Sequence, residues 1–471
     1  MPRTLTTLVW LLFLGALAAA AAFAGGEPVA AGPLRLDALA LLLAPAILFV
    51  SAIVHSFARR YMDGDARIDG FFVRLTALTL TVLVLLAADH MVLFAAAWTV
   101  MGLLLADLVG HVRSWPQARA AAALARTSFL AGSALLAMGL GLVHGATGAA
   151  TISGALAAVG TADGTLLALA CVALAIAAAI QCGLFPFHGW LMSSMTAPTP
   201  VSAFMHAGLV NAGGILLART APVFEAVPHA MTAVFLLGAV SALSGAAMAL
   251  VQTDVKRGLA ASTVAQMGFM VLQCGLGFHA AAMAHLVLHG LYKACLFLGA
   301  GSALSAAGRP DAAKAPLDAR SLALALPTAL IAGAVFALVT GKLAGPVDTG
   351  LILVAFAAIA AAQAGIALRG WRPDGLAALL IAAPLAVALT AALYGFVVSG
   401  AEAALATVPG AVDPQALNPV HALVLLAFAG TWVWALGGAG RSGADALYTR
   451  LLNAGQPARS TVTDRRGFYR A

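Results

Sequence analysis

The sequence predicts an all-α, polytopic membrane protein with about 14 transmembrane helices. Three observations support this fold class: the scarcity of charged residues, the lengths of the apolar runs, and the uneven distribution of basic residues between alternate loops. The three are independent, because composition, run length and loop charge can each vary without the others.

Charged residues make up 9% of the 471-residue chain, and hydrophobic residues make up 62%. Soluble domains carry roughly 25% charged residues, so this composition excludes a soluble enzyme. A net charge of +7 does not indicate nucleic-acid binding, because the basic residues lie in short loops. Cys171, Cys182, Cys274 and Cys295 lie in apolar stretches without metal-ligand spacing, and we expect neither a metal site nor a bound cofactor.

Apolar runs long enough to span a membrane number fourteen, since about 20 helical residues cross the hydrocarbon core. The first run also resembles a signal peptide, but its length and the runs that follow favour a first span. The runs occupy 5–24, 36–57, 71–88, 90–110, 119–144, 165–185, 200–219, 227–251, 259–278, 280–305, 321–340, 350–368, 375–398 and 419–437.

Basic residues are concentrated in alternate loops. This asymmetry tests the count of spans, because a miscounted span would place basic loops on both sides of the membrane. One side of the membrane receives only Arg35, Arg219 and Lys342 from the loops. Basic loops stay in the cytoplasm, so both termini are expected there, in the inner membrane of a bacterium. The other side receives Arg59, Arg60, Arg67, Arg113, Arg119, Lys256, Arg257, Arg309, Lys314, Arg320, Arg369 and Arg372, together with the arginines of the tail.

Three ionisable residues recur at i, i+4 and i+8 in the tenth run: His285, His289 and Lys293. At 100° per residue they fall within an arc of about 80° on one helix face. Ionisable groups in a membrane are costly and are functional candidates by default, and histidine exchanges protons near neutral pH. The stripe predicts a proton path, while simple hydrogen bonding to neighbouring helices stays open as the alternative.

The seventh run is preceded by prolines and interrupted by glycines, in the stretch from Pro198 to Gly214, which also holds His206 and Asn211. Irregular backbone at membrane depth survives only where protein or water covers it, and broken helices mark ion sites in transporters. The stretch therefore predicts either a broken helix with a functional His206 or an ordinary span with a packed histidine.

Four further charged residues are pathway candidates. Asp254 and Lys256 begin the ninth run and mark either a channel mouth or an orientation signal. Lys342 lies at a glycine-flanked break that ends the eleventh run, where it could release protons. Asp107 lies near a span end, where a charge costs little, so an ordinary surface role is the alternative there.

Two motifs are similar to a known family. The stretch 252–302 contains TDVKRGLAASTVAQMGFM and AHLVLHGLYKACLFLGAGS, and 197–219 reads APTPVSAFMHAGLVNAGGILLAR. Both resemble the large antiporter-like subunits of respiratory complex I and Mrp antiporters, as do Asp89, Trp98 and Gly102. The similarity covers roughly residues 40–305.

This resemblance implies two inverted five-helix repeats, each with a broken helix and a proton half-channel. The expected divisions are N-terminal helices at 1–70, repeats at 71–219 and 227–368, C-terminal helices at 375–437, and a basic cytoplasmic tail at 438–471 that is flexible or lies on the membrane or a partner. By resemblance, His285, His289 and Lys293 match the family's central hydrophilic axis, and His206 matches a position after the first broken helix.

The chain also departs from the complex I pattern. Thr99 stands where those subunits have glutamate, and Gln181 stands where they have lysine, so the first half-channel lacks its usual ionisable pair. The family's long C-terminal lateral helix also has no match in the polar residues after the last run.

The motif FPFHGWL, followed by the 197–214 stretch, is more similar to the membrane subunits, called DabB, of DAB-type inorganic-carbon transporters. That resemblance implies a subunit that conducts H⁺ or Na⁺ and is not itself an enzyme. Its expected partner is a large cytoplasmic, zinc-containing DabA-like subunit that hydrates CO2 to bicarbonate. The alternatives are an antiporter-like subunit of a quinone oxidoreductase or Mrp complex and a non-conducting membrane anchor.

Overall fold

The structure is a computed structural model that describes residues 1–23, 25–302, 319–368, 376–436 and 445–462. Helices dominate, because nearly every apolar run forms one and helices satisfy their own backbone hydrogen bonds in lipid. The basic residues Arg309, Lys314, Arg369, Arg372, Arg441, Arg465, Arg466 and Arg470 lie outside the described residues.

The first half of the chain forms eleven helices and one hairpin. The hairpin pairs β1 (Val29–Ala31) with β2 (Leu34–Leu36), with Val29 opposite Leu36. The helices are α1 (Pro2–Ala22), α2 (Ala38–Tyr61), α3 (Ile68–Ala87), α4 (Met91–Val109), α5 (Pro116–Thr147), α6 (Ile152–Ala158), α7 (Gly164–Cys182), α8 (Gly189–Ser193), α9 (Thr199–Phe204), α10 (Ala212–Arg219) and α11 (Ala221–Glu225).

The second half continues as antiparallel helices and ends in a short helix of the tail. These are α12 (Ala230–Val251), α13 (Val255–Gly275), α14 (His279–Leu298), α15 (Ala319–Thr340), α16 (Gly350–Ala367), α17 (Leu376–Ala404), α18 (Pro419–Leu436) and α19 (Asp445–Ala454).

Eleven helices of the described ranges are long and apolar enough to cross a membrane, counting Thr199–Arg219 as one. This confirms a polytopic helical membrane protein. At the other three predicted positions, α13 carries several polar residues, and α15 and α18 contribute shorter apolar stretches, Leu324–Thr340 and Pro419–Trp434. The count of 14 therefore stays a prediction.

The ends of the helices define two faces of the molecule. The hairpin face carries the β1–β2 hairpin, the α13–α14 turn and the segment 405–418. The tail face carries the α7–α8 loop, the α12–α13 turn and the C-terminal segment 445–462.

Helices α12 and α13 pack with their backbones in close contact. Side chains at Gly238, Gly245, Gly268 or Gly275 would collide with backbone atoms of the facing helix. Small residues allow such approach where the hydrophobic effect cannot hold helices together. This packing fixes α13, which supplies the polar partners of the α14 stripe.

The C-terminal segment differs from the sequence-based expectation of a flexible or externally bound tail. Residues 445–462 fold back on the tail face of the chain itself. His188 Nε2 donates to the Ala454 carbonyl at 3.0 Å, Arg257 Nη1 donates to Gln456 Oε1 at 2.8 Å, and Ala458 N donates to Ser193 Oγ at 3.0 Å. The prediction was wrong for these residues because polar composition does not reveal matching donors and acceptors elsewhere in the chain.

Candidate functional site

The helix from Thr199 to Arg219 is interrupted in the middle of the protein, which is one of the two alternatives that the glycine- and proline-rich stretch left open. A π-helical turn, Met205–Leu209, separates α9 from α10, and the whole segment is buried. A π-turn leaves backbone carbonyls without their normal partners. Asn211 Nδ2 donates to the Ala207 carbonyl at 2.9 Å, and Gln181 Nε2 donates to the Leu209 carbonyl at 3.2 Å.

Helix α14 packs directly on this π-turn. A side chain at Gly290 would lie 2.5 Å from the Ala207 carbonyl oxygen, so only glycine permits the approach. His206, on the same turn, is fully buried, and its ring stacks on Phe297 of α14 with centroids 4.4 Å apart. The interrupted helix and the α14 stripe therefore form one site.

The three stripe residues His285, His289 and Lys293 line a single cavity of about 460 Å³. The two imidazole rings are stacked, with centroids 5.9 Å apart and planes 15° apart. The cavity is also lined by Ser262, Gln266, Tyr292 and Tyr394. The arrangement places the residues in a column along one helix face, as their spacing predicts.

Lys293 is 1% exposed and is held by α13. Its ammonium group donates to the Leu259 carbonyl at 2.9 Å and to the Ser262 hydroxyl. Neither partner carries a charge, so the Lys293 ammonium is solvated by neutral dipoles.

The imidazoles of this site have ring nitrogens without protein partners. Both nitrogens of His206 and the Nε2 atoms of His285 and His289 are buried and make no hydrogen bond within the described residues. An unsatisfied buried polar group costs about 1–3 kcal/mol. The cavity beside His285 and His289 has room for water, which would offer their Nε2 atoms the missing partners. Buried nitrogens that face water can pass protons.

Two of the candidates, Asp254 and Lys256, lie at the tail face. Asp254 caps α13, and its Oδ1 accepts the Arg257 backbone N–H at 2.8 Å. Both line a cavity of about 870 Å³ beneath the C-terminal segment, together with Arg257 and Arg459. Lys256 lies one helical turn before Leu259, the residue whose carbonyl binds Lys293.

Lys342 lies at the hairpin face, beyond the last turn of α15. Its Nζ donates to Glu402 Oε1 at 2.6 Å and lies 4.4 Å from the centre of the Phe278 ring, in the α13–α14 turn. The sequence reading selected Lys342 but missed Glu402. Glu402 is 60 positions from Lys342 in the sequence, so local residue spacing does not indicate that the two charges meet.

Asp107 pairs with basic residues at the end of α4. Arg74 Nη1 donates to Asp107 Oδ2 at 2.6 Å, and Arg113 lies 3.7 Å from the other oxygen. Arg74 also donates to His111 Nδ1, so His111 Nε2 carries the proton and donates to Asp65 at 3.1 Å. Burial alone would raise the pKa of Asp65, but hydrogen bonds from the Arg67 backbone and His111 lower it. The surroundings of Asp107 match the surface role that the sequence left open.

Thr99 and Gln181 occupy the two positions where the resemblance would place an ionisable pair. The Thr99 hydroxyl donates to the Ala95 carbonyl at 2.8 Å, within its own helix. Gln181 supports the π-turn instead of carrying a charge.

Two groups that the sequence reading did not select, His279 and Glu225, lie at the hairpin end of the α14 column. His279 was detectable, because it shares that helix with the stripe.

Comparison with known proteins gives matches over much of the chain. Residues 88–352 match the family model "NADH:quinone oxidoreductase/Mrp antiporter, TM". Residues 31–72 match the model "NADH-Ubiquinone oxidoreductase (complex I), chain 5 N-terminus". The π-turn, the α13–α14 pair and the whole polar column fall within the first match.

Individual relatives are similar to the same part of the chain. A probable inorganic carbon transporter subunit, DabB1, of Halothiobacillus neapolitanus is 37% identical over 59% of this chain and 51% of its own length. The probable DabB of Bacillus subtilis is 42% identical over 58% of this chain and 54% of its own. The chain spans about half the length of these relatives.

A solved structure shares the fold over nearly the whole chain. A chain of the Mrp complex from Dietzia sp. DQ12-45-1b superposes with a TM-score of 0.68 at 25% identity. The match covers 96% of this chain and 55% of the other. The antiporter-like fold therefore extends beyond the residues matched by the family model.

Proposed function

This chain belongs to the NADH:quinone oxidoreductase/Mrp antiporter family, and we propose that it is the ion-conducting membrane subunit of an energy-coupled inorganic-carbon accumulation complex. The observation that carries conduction is the column of His285, His289 and Lys293 around one cavity. The carbon substrate is supported by the similarity to inorganic carbon transporter subunits.

The proposed conduction runs along α14. A proton entering from the hairpin side passes through cavity water to the unpartnered Nε2 atoms of His285 and then His289, and Lys293 passes it on toward the tail face. The column from His285 to Lys293 rises about 12 Å, which is less than half of a hydrocarbon core of about 30 Å. Protons fit the column better than Na⁺, because the stripe offers cationic and imidazole groups and no carboxylate to bind a metal cation.

The tail face is proposed to face the cytoplasm, because it holds most of the basic residues. There it would bind a large, zinc-containing, DabA-like partner that hydrates CO2. One charge crossing 100 mV provides roughly 2.3 kcal/mol. A few protons per turnover would therefore bias a hydration equilibrium toward bicarbonate by a large factor.

An antiporter-like subunit of a quinone oxidoreductase or Mrp complex is the second candidate, favoured by the family match and the Mrp superposition. Thr99 and Gln181 count against it. Such a complex would be expected to keep ionisable groups in both repeats, whereas a passive conductor needs only one continuous path.

The conduction proposal is tested by proton flux into liposomes that contain the purified complex. His289→Ala and Lys293→Ala should each lower flux at least tenfold while assembly is unchanged. His144→Ala is the matched control, because His144 is exposed at the end of α5 and donates to a nearby carbonyl. Normal flux in both stripe variants would contradict the proposal.

The carbon role is tested by purifying the tagged protein in mild detergent and identifying what accompanies it. One large, zinc-containing, cytoplasmic protein with bicarbonate-dependent activity is expected. A set of quinone oxidoreductase or antiporter subunits would instead establish the second candidate.

A further inference from the structure

The segment 405–413 lies across the hairpin end of α13 and α14. Ala280 N donates to the Ala411 carbonyl at 2.9 Å, and Asp413 N donates to the Gly277 carbonyl at 2.8 Å. Gly277, with φ +86°, lies against the backbone of Asp413 and Pro414. This segment follows the residues that the family model matches, so its contacts are not described by that model.

Glu225, at the end of α11, packs against the same segment. A side chain at Gly410 would lie 2.7 Å from Glu225 Oε1 and 3.2 Å from Oε2. Gly410 has φ +71°, so both its conformation and the neighbouring carboxyl group require glycine. Glu225 Oε1 is buried and makes no hydrogen bond within the described part of the chain.

The surroundings of this carboxyl group favour its protonated form. Burial, and then the nearby charge of Asp413, raise the pKa of Glu225 to about 7. The position is outside the membrane-spanning helices, between α10 and α12. A carboxyl group with these properties at an aqueous boundary exchanges protons at physiological pH.

His279 connects the same segment to the α14 column. Its Nδ1 lies 2.9 Å from the Gly410 carbonyl oxygen. A carbonyl only accepts hydrogen bonds, so Nδ1 carries the proton and Nε2 is left as an acceptor. His279 is 2% exposed and precedes His285 by six residues, a rise of about 9 Å along the helix. Glu225 and His279 thus meet at one residue, Gly410.

We infer that Glu225 is the group through which protons pass between the hairpin-side water and the α14 column, with His279 as the next carrier. The inference rests on the proposed proton conduction. In the inward step the Glu225 O–H bond breaks as an N–H bond forms at His279 Nε2 through water. The carboxylate then takes a new proton from the hairpin-side water.

Other charged groups lie around this carboxyl group and set its behaviour. Asp413 raises its proton affinity from the 405–413 segment, and His279 faces that segment from α14. His229, at the start of α12, is exposed, and the Lys342–Glu402 pair closes the other side of the α13–α14 turn at Phe278. Glu402 is paired with Lys342, whereas Glu225 contacts Gly410, the residue whose carbonyl accepts from His279.

The test is proton flux in liposomes as the pH on the hairpin side is varied from 5.5 to 8.5. In the unmodified protein, flux should titrate with a midpoint near the pKa of Glu225, about 7. Glu225→Gln should lower flux several-fold and abolish this titration, and Glu225→Asp should restore much of it. Glu27→Gln is the matched control, since Glu27 is an exposed carboxyl group on the same face.

A second measurement does not depend on flux. A hydrophobic carbodiimide reacts with protonated carboxyl groups, so the peptide that contains Glu225 should be labelled at pH 6 and labelled progressively less above pH 7. If Glu225 is labelled but the liposomes show no proton flux, the conduction proposal fails, whereas the assignment of Glu225 as a protonatable group is retained. Unchanged flux titration in Glu225→Gln, or no labelling of Glu225 at pH 6, would overturn the inference.

Discussion

Gln181 Nε2 donates a hydrogen bond of 3.2 Å to the carbonyl oxygen of Leu209, the last residue of the π-turn. Gln181 is 1% exposed at the end of α7, so this bond is made away from water. By resemblance, Gln181 stands where the complex I subunits have a lysine, so the sequence alone indicates only that a charge is lost. In the structure a neutral donor takes the place of that charge and stabilises the break that brings His206 to α14.

Gln181→Leu should destabilise the protein by about 1–3 kcal/mol, because it leaves the Leu209 carbonyl buried and unsatisfied. The measurement is thermal unfolding in detergent. Gln117→Leu serves as the control, since Gln117 lines the open cavity of the tail face. Equal unfolding temperatures for the two variants would show that Gln181 does not support the π-turn.

Gly290→Ala should damage both stability and conduction. The added methyl group would lie 2.5 Å from the Ala207 carbonyl, and overpacking of this kind costs about 1–3 kcal/mol. Displacing α14 also moves His289 and Lys293 on either side of Gly290. Gly141→Ala is the control, because a Cβ there meets nothing within 4 Å. Flux and unfolding like those of the control would refute the close approach.

The Lys342–Glu402 pair should behave as one unit in a double-mutant cycle. Lys342→Met or Glu402→Gln alone leaves a largely buried polar group without its partner, and each should cost about 1–3 kcal/mol. The double variant should cost clearly less than the sum of the two. The free energies come from denaturant unfolding in mixed micelles, and strictly additive effects would show that the two groups do not interact.

Ser193→Ala should loosen the C-terminal segment. The Ser193 hydroxyl accepts the Ala458 N–H at 3.0 Å and lies 3.3 Å from Thr461 Oγ1. Trypsin should then cut after Arg450 and Arg459 several-fold faster than in the unmodified protein. In the control, Ser194→Ala, the lost hydroxyl donates to the Leu191 carbonyl of the adjacent helix α8, and cleavage should be unchanged. The same cleavage rate in both variants would contradict the docking.

Stability should depend on pH through Glu225. Its folded-state pKa of about 7 lies above the ordinary value of 4.5, so the folded protein binds more protons between these values. Stability from this group is therefore full below pH 4.5 and is lost as pH rises through 7. The loss should be below about 1 kcal/mol, because solvent screens a partly exposed carboxyl group. Glu225→Gln should remove this slope from unfolding temperatures measured at pH 5 to 8, and an identical slope would contradict the raised pKa.

Much of the site was predictable because it lies on one helix. The spacing of His285, His289 and Lys293 places them on one face whatever surrounds them, and the structure confirms that they line one cavity. The broken helix was one of two alternatives that the prolines, Gly213 and Gly214 left open, and the structure shows the interruption at Met205–Leu209. Asp107 was selected on charge alone, and its pairing with Arg74 shows why isolated charges near span ends are weak signals.

The sequence by itself determined the fold class, the places of most long helices and the polar column, because lipid imposes a minimum helix length and helical geometry fixes which residues share a face. Only the tertiary structure decided which distant groups meet: Glu402 with Lys342, Gly410 with Glu225 and His279, and the C-terminal segment with Ser193. Helical periodicity specifies the direction in which a side chain points. The partner that it meets depends on how the helices pack, and that is set by contacts such as Gly290 on Ala207, which no local pattern encodes.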